Sequence, residues 1–475
     1  MATSDFSTLQ PADRALPRIN LLTMLRLGLF QMGLGLLSLL TLGVLNQVLI
    51  SELAIPGTIA AGAIAMYQFI APARIWFGQM SDAKPMGGYH RTPYIWAGMV
   101  LQVLCLTLAV RVVWQLGASA AAGWSGQTWG WAALLAFMFA LYGLCISASS
   151  TPFTALLVDI SDEDNRSKLV GIVWAMLMLG IVAGAIIGET MLAGLTPDTL
   201  QPAINQLFLV FPVAVLGLSL LATVGVEKKY SRFSRRSGLN NSSETGDRED
   251  QITLRRALKV LTASPQTGLF FCFLLVMTIS LFLQQPVLEP YAREVFGMSI
   301  GESAGLNKYW GYGILAGIGL AGFAIVPRLG KQRTAKLGCY CTAGSFVLVV
   351  LAGLTADQLM LKSAVMFFGL SSGILTNSAV SLMLDLTAAE TAGTFVGAWG
   401  LAQSLSQASA TVLGGALLDL GRQIFRQPYP AFSIVFMTQA VGMVAAVTLL
   451  NRVDVKEFKS NAKEAIAAVL ANDLD

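Results

Sequence analysis

Apolar stretches of about twenty residues recur along the chain with short polar interruptions, each long enough to cross a hydrocarbon layer of roughly 30 Å at about 1.5 Å per residue. Backbone groups in lipid must pair within their own segment, so these stretches are expected to be helices. They fall at 23–48, 56–77, 94–113, 131–156, 168–192 and 205–225, then at 267–288, 309–328, 335–353, 362–383, 393–418 and 430–450. The expected division is therefore an N-terminal segment 1–22, a six-helix half 23–226, a polar central loop 227–264, a second six-helix half 265–451 and a tail 452–475. The fold class that follows is an all-α membrane protein of about twelve transmembrane helices in two related halves.

The polar segments set the orientation. With both termini on one side, that side collects roughly 25 of the 31 Lys and Arg residues, which makes the termini and central loop cytoplasmic. The central loop carries RFSRR, then GLNNSSETGDRED, then TLRRALKVL, a candidate surface helix. In the tail, Phe458, Ala462, Ile466 and Val469 share one helical face, suited either to the membrane surface or to the protein's own loops. The first 20 residues lack the compact apolar run of a signal peptide.

The halves also repeat. Leu157 to Ser161, followed by Gly171 and Gly188, matches Met383 to Thr387, followed by Gly397 and Gly414, at a constant offset of 226 residues.

Composition sharpens this picture. Of 475 residues 55% are hydrophobic and 12% charged, more apolar surface than one soluble core buries, so the lipid bilayer is the expected surrounding. The net charge of +4 belongs to the loops and points to membrane orientation, not to nucleic acid. Five cysteines, at 105, 145, 272, 339 and 341, show no paired ligand spacing and read as small core residues. The single histidine, His90, is expected in a loop, and no metal site is expected. No nucleophile triad, paired-carboxylate site, Walker loop or dinucleotide fingerprint stands out, so the chain is not expected to be an enzyme.

Between the second and third spans, Gly78, Asp82 and Lys84 are followed by Gly87, Gly88 and Arg91. This run resembles the G-x-x-x-D…G…R loop signature of the major facilitator superfamily. Its physical sense is close helix approach at Gly78, Asp82 against a helix N-terminus near Gly393, and a base closing a charge network. Ala83 and Pro85 depart from the signature; the bland alternative is a solvated basic turn. Asp159 and Asp385 end the fourth and tenth spans, with Arg166 and Lys168 close to the first alone, and are expected to gate or brace the bundle. Glycines at 180, 184 and 188 and at 313 and 317 form faces for tight helix packing.

The span interiors are poor in charge, apart from Arg26 near one boundary and Glu189 and Glu289 near the other. Uncharged amides stand there instead. Gln31, Asn46, Gln68, Gln284, Asn377 and Gln403 are the candidate cavity contacts, with Gln47, Gln102, Gln285 and Gln407 of the same kind. Each either bonds between helices or lines a cavity, where an amide oxygen can ligate a metal. The 24 Phe and 18 Met residues fill the core or face lipid, and would also suit a large apolar ligand.

Residues 25–56, APARIWFGQMSD at 71–82, HRTPYIWAGMVLQ at 90–102 and LLVDISDEDNRSKLVGIVW at 156–174 together resemble the PucC/LhaA, or bacteriochlorophyll delivery, family. The resemblance implies a light-harvesting or photosystem assembly factor that binds or delivers chlorophyll or bacteriochlorophyll. Its partners would be antenna or photosystem subunits, in a thylakoid, intracytoplasmic or plasma membrane. No pigment-ligand motif of the family carries over. A secondary transporter working by alternating access and a pigment-free assembly scaffold remain the alternatives.

Overall fold

The structure is a computed structural model that describes residues 19–161, 163–192, 197–231, 265–385 and 392–453. The central loop and the tail lie outside these residues. Twelve helical rods run through them. In the first half they are α1 (Leu21–Glu52), α2 in two pieces (Gly57–Phe69 and Ala73–Ala83), α3 (Thr92–Ala121), α4 (Gly126–Ile160), α5 (Glu163–Met191) and α6 (Pro197–Thr223). In the second they are α7 (Pro265–Phe282), α8 (Leu306–Leu320), α9 (Lys331–Thr355), α10 (Gln358–Asp385), α11 (Ala392–Ile424) and α12 (Pro428–Asn451). Nine described helices are long and apolar enough to cross a membrane; α2, α7 and α11 complete the twelve.

The packing partners repeat with a shift of six helices. Helix α2 packs on α4 as α8 packs on α10, α3 on α4 as α9 on α10, α1 on α5 and α6 as α7 on α11 and α12, and α3 on α6 as α9 on α12. The halves meet through α2 against α11 and α5 against α8, a pair that the same shift interchanges. This is the two-fold, six-plus-six architecture of a major facilitator bundle.

Glycine makes the closest of these approaches possible. A Cβ on Gly180 would strike the backbone of Met32 on α1, and one on Gly313 or Gly317 the backbone of α10 at Met366 or Leu370. In lipid no hydrophobic effect drives helices together, so such intimate van der Waals contact does more of the work. The second half centres on Tyr291, fully buried against Phe432 and Phe436, with its hydroxyl donating to Val349 O at 3.0 Å.

Three departures from the expected spans matter for function. Helix α2 breaks at Ile70–Pro72 and then continues to Ala83, so Gly78 and Asp82 sit on its last turns and not in a loop. The apolar count stops early there because Ser81, Asp82 and Lys84 follow at once. Beyond Phe282 the chain turns into a short helix, Leu288–Phe296, before Ile300–Ala304 leads into α8. Finally, α1 leaves α-helical winding for π-helical turns over Leu39–Leu45 and Val48–Glu52.

Candidate functional site

The face that carries Ile19 and Val453 is termed the terminal face, and the opposite one the far face. At the terminal face α6 passes a left-handed Gly225 (φ 72) into the turn Val226–Tyr230. This delivers Glu227 to the N-terminus of α3. The carboxylate, 1% exposed, accepts from the backbone N–H groups of His90 (2.7 Å), Arg91 (3.1 Å) and Thr92 (2.7 Å) and from the Thr92 hydroxyl (2.6 Å). An anion buried among helix-end donors is well placed, since these N–H groups have no partner within the helix. Beside it the buried Arg91 donates from Nε to Asp159 Oδ2 at 2.9 Å and from Nη1 to Ser81 Oγ at 2.6 Å. His90 lies against the Ser81 carbonyl.

A charge network therefore forms around Arg91, Asp159 and the end of α2, with Glu227 as a member that sequence reading placed in the central loop. Its charged surroundings, EKKYSR, look like a linker; only the αL glycine before it hinted at a turn back. Lys84 is exposed, and its carbonyl accepts from Tyr94 at 2.8 Å. The Asp82, Arg166, Lys168 and Asp385 side chains, and the contact expected near Gly393, lie outside the described residues.

The far face is a different construction, built across the halves. Asp419 of α11 caps the start of α2, accepting from Gly57 N and Thr58 N, each at 2.7 Å, and from the Thr58 hydroxyl at 2.6 Å. Arg293 pairs with Glu52 at 2.9 Å; Glu294 takes Arg422 at 2.7 Å and the Ser51 hydroxyl at 3.1 Å; Lys308 pairs with Glu189. Asn46 Nδ2 donates to Pro286 O at 2.6 Å and Gln47 Nε2 to Ser303 Oγ at 3.0 Å. Here Gly57 and Gly415 touch backbone to backbone.

Within this joint Glu289 is 4% exposed and lies outside the apolar stretches Gly268–Phe282 and Ile300–Leu329. Its Oε1 accepts from Asn307 Nδ2 at 2.8 Å, and its Oε2 is buried without a partner. Burial pushes its carboxyl up to about 7, against the smaller opposing effect of the Asn307 hydrogen bond.

The amides divide into those bonded within the protein and those left without a side-chain partner among the described residues. Asn46, Gln68 and Gln284, read as cavity contacts, are engaged by the protein itself. Gln68 donates to Tyr67 OH at 3.0 Å and meets Thr411 at 3.5 Å, and Gln284 accepts from Gln439 at 3.2 Å. Their partners lie on neighbouring helices or next in the chain, and in a dry interior an amide takes what partner it can reach. Gln31, Asn377 and Gln403 are half-buried and make no side-chain hydrogen bond among the described residues. They stand on α1, α10 and α11 at similar depth, roughly 12–17 Å from the terminal face at 1.5 Å per residue. The interior is also less charge-poor than expected: Arg74 follows the α2 break and lies about three turns from its end, exposed. Arg26 donates to the carbonyls of Leu221 and Val224 on α6.

Among the described residues, every hydrogen bond or ion pair between the halves lies at mid-depth, as Gln68–Thr411 does, or toward the far face. No group of three or more His, Cys, Asp or Glu residues converges on a metal position among these residues.

The family model described as "PUCC protein" matches residues 44–458. The chain belongs to this family. A relative called "Protein PucC" from Rhodobacter capsulatus is 28% identical over 456 residues, covering 93% of this chain and 95% of that one. Another from the same organism, "Bacteriochlorophyll synthase 44.5 kDa chain", is 28% identical over 439 residues, with 91% and 95% covered. Among solved structures, the nucleoside transporter NupG superposes with a TM-score of 0.66 at 9% identity, covering 91% of this chain and 98% of that one. The inward open xylose transporter XylE superposes at 0.61 and 13%, covering 92% and 98%. Those likenesses establish the major facilitator fold for this member of the PUCC family. The stretches at 71–82, 90–102 and 156–174 that carried the family resemblance hold Ser81, Arg91 and Asp159 of the terminal-face network.

Proposed function

We propose that this protein is an assembly factor of the photosynthetic membrane that holds chlorophyll or bacteriochlorophyll between its halves and passes it to antenna or photosystem polypeptides. The observation that carries the reading is the family match over most of the chain, which includes a relative named for bacteriochlorophyll synthase. The geometry is compatible with it. The described contacts between the halves lie at mid-depth and toward the far face, so this reading brings the cargo in from the terminal face, the side that the Lys and Arg distribution supports as cytoplasmic. This reading assigns the cargo to Gln31, Asn377 and Gln403 at mid-depth, neutral groups whose amide oxygens suit a magnesium centre, since the single histidine, His90, lies at the terminal face. The apolar helix walls suit a hydrocarbon tail. The chain's part is to bind and present; no covalent chemistry is assigned to it.

The test is pigment extraction from the tagged protein, purified in mild detergent out of its native membrane beside a tagged control membrane protein. Near-stoichiometric chlorophyll or bacteriochlorophyll with antenna polypeptides, absent from the control, is the expected result. A colourless protein with antenna partners would make it a scaffold. Neither pigment nor partner, with solute flux in sealed vesicles, would make it a transporter.

A further inference from the structure

The far-face joint contains a carboxyl that its ion pairs leave out. Glu289 sits where the Leu288–Phe296 helix meets α8 and the π-helical part of α1, and a Cβ on Gly43 of α1 would lie 3.4 Å from its Oε1. The charged and titratable groups around it are committed elsewhere. On its own helix Arg293 pairs with Glu52 of α1, Glu294 with Arg422 of α11, and Tyr291 donates to α9. From α8 and α5, Lys308 and Glu189 pair with each other, and Glu302 accepts from Ser299 N at 2.7 Å. From α12, Tyr429 lies over Gly353. From α1 its neighbour is Gly43, which carries no titratable group.

Apart from Trp310 Nε1, one turn along α8 from Asn307, the buried polar atoms left without a partner here are acceptors. Glu289 Oε2, Asn46 Oδ1, Gln47 Oε1 and Gln285 Oε1 are all buried with no hydrogen-bond partner. An ionised Glu289 would add a charge to a joint already in surplus of acceptor oxygens, whereas a protonated one brings a donor.

We propose that Glu289 carries a proton while the far face is closed and releases it as the halves part there, so that closure of this face and protonation are one linked equilibrium. The proton moves between the carboxyl oxygen and water admitted on opening, and no other group changes charge. This inference does not rest on the identity of the cargo.

The direction follows from the raised value in the closed joint. A carboxyl pushed up to about 7 when closed, against an ordinary 4.5 when hydrated, favours closure at low pH. That advantage is complete below the ordinary value and disappears as pH climbs through about 7. Between pH 5 and pH 8 the closed-to-open ratio should fall on the order of 50-fold.

Spin labels at Gln127→Cys and Gln427→Cys, exposed far-face positions on opposite halves, report that ratio as a distance distribution once the five native cysteines are replaced. The expected result is a short-distance population at pH 5 that gives way to a longer one by pH 8. Glu289→Gln, of the same size and always neutral, should hold the short distance at both pH values. Glu52→Gln, which breaks an ion pair of the same joint, should favour the longer distance at both while keeping the pH response. A distribution that does not change with pH in the protein with Glu289 intact overturns the proposal without any variant. So does an equal pH response with Glu289→Gln.

Discussion

Removing the Glu227 carboxylate should destabilise the first half through one identifiable contact. Four donors converge on it within 3.1 Å, three of them backbone N–H groups at the start of α3 that have no helical partner, and the side chain is 1% exposed. Charge-assisted hydrogen bonds contribute about 1.5–3 kcal/mol each, and some donors would recover water at this end of the helix. Glu227→Ala should therefore cost roughly 3–5 kcal/mol, and Glu227→Gln about half that, since one acceptor oxygen survives while the other becomes a donor aimed at donors. For a six-helix half of about 200 residues this corresponds to a fall in melting temperature on the order of 10 °C for the alanine variant. The assay is a melting curve in one detergent at one scan rate, because unfolding of such proteins is commonly irreversible. Glu302→Gln, in an exposed capping box, serves as the control. An alanine variant that melts within about 2 °C of the native protein would show that this contact does not hold α6 to α3, and would refute the reasoning.

Arg91→Lys keeps the charge but cannot reach Asp159 and Ser81 together, and should lower the melting temperature by several degrees in the same assay, with Arg91→Ala lower still because Asp159 loses that pairing. Gly415→Leu should spread α2 from α11, since its Cβ would lie 2.6 Å from the Gly57 carbonyl carbon and 2.9 Å from Ala61 Cβ; lengthened far-face distances in the spin-label experiment check this, with Gly400→Ala, which has open space, leaving them unchanged. Replacing Gln31, Asn377 and Gln403 together by leucine should cut co-purified pigment several-fold with little change in melting temperature, because these side chains bond to nothing else described. Asn46→Leu should do the reverse, breaking the Pro286 contact while leaving pigment bound.

Helix number and the two-fold division were readable because each lipid crossing imposes its own length of apolar sequence, whatever its neighbours do. The path of α2 was harder: Ser81 and Asp82 are polar, but they lie on the last turns of a helix whose end is wrapped by Arg91 and Tyr94. The partners of the amides were not legible at all. A helix that is apolar on every side shows no periodic stripe from which to read a side chain's direction, and Asn46 and Pro286 are 240 positions apart. The far-face pairs, Glu52 with Arg293 and Asp419 with Gly57, are hidden for the same reason. The Arg91–Asp159 contact was within reach, since both residues stood in motif segments, yet Arg166 is nearer in sequence and drew the expected pairing.

The π-helical stretches of α1 set a length rule for the chain. A π turn holds an additional residue compared with an α turn. Deleting a single residue between Leu39 and Leu45 would let the segment relax to ordinary winding with its backbone bonds intact. Because the wide turn is what absorbs that residue, everything beyond would keep nearly the same facing, whereas the same deletion in the α-helical stretch Leu21–Ser38 would swing it by about 100°. Asn46, Gln47, Ser51 and Glu52 would then all turn away from the second half at once, although none of them had been altered. For α1, the number of residues between its start and the far face is as much a determinant of the closed state as their identity.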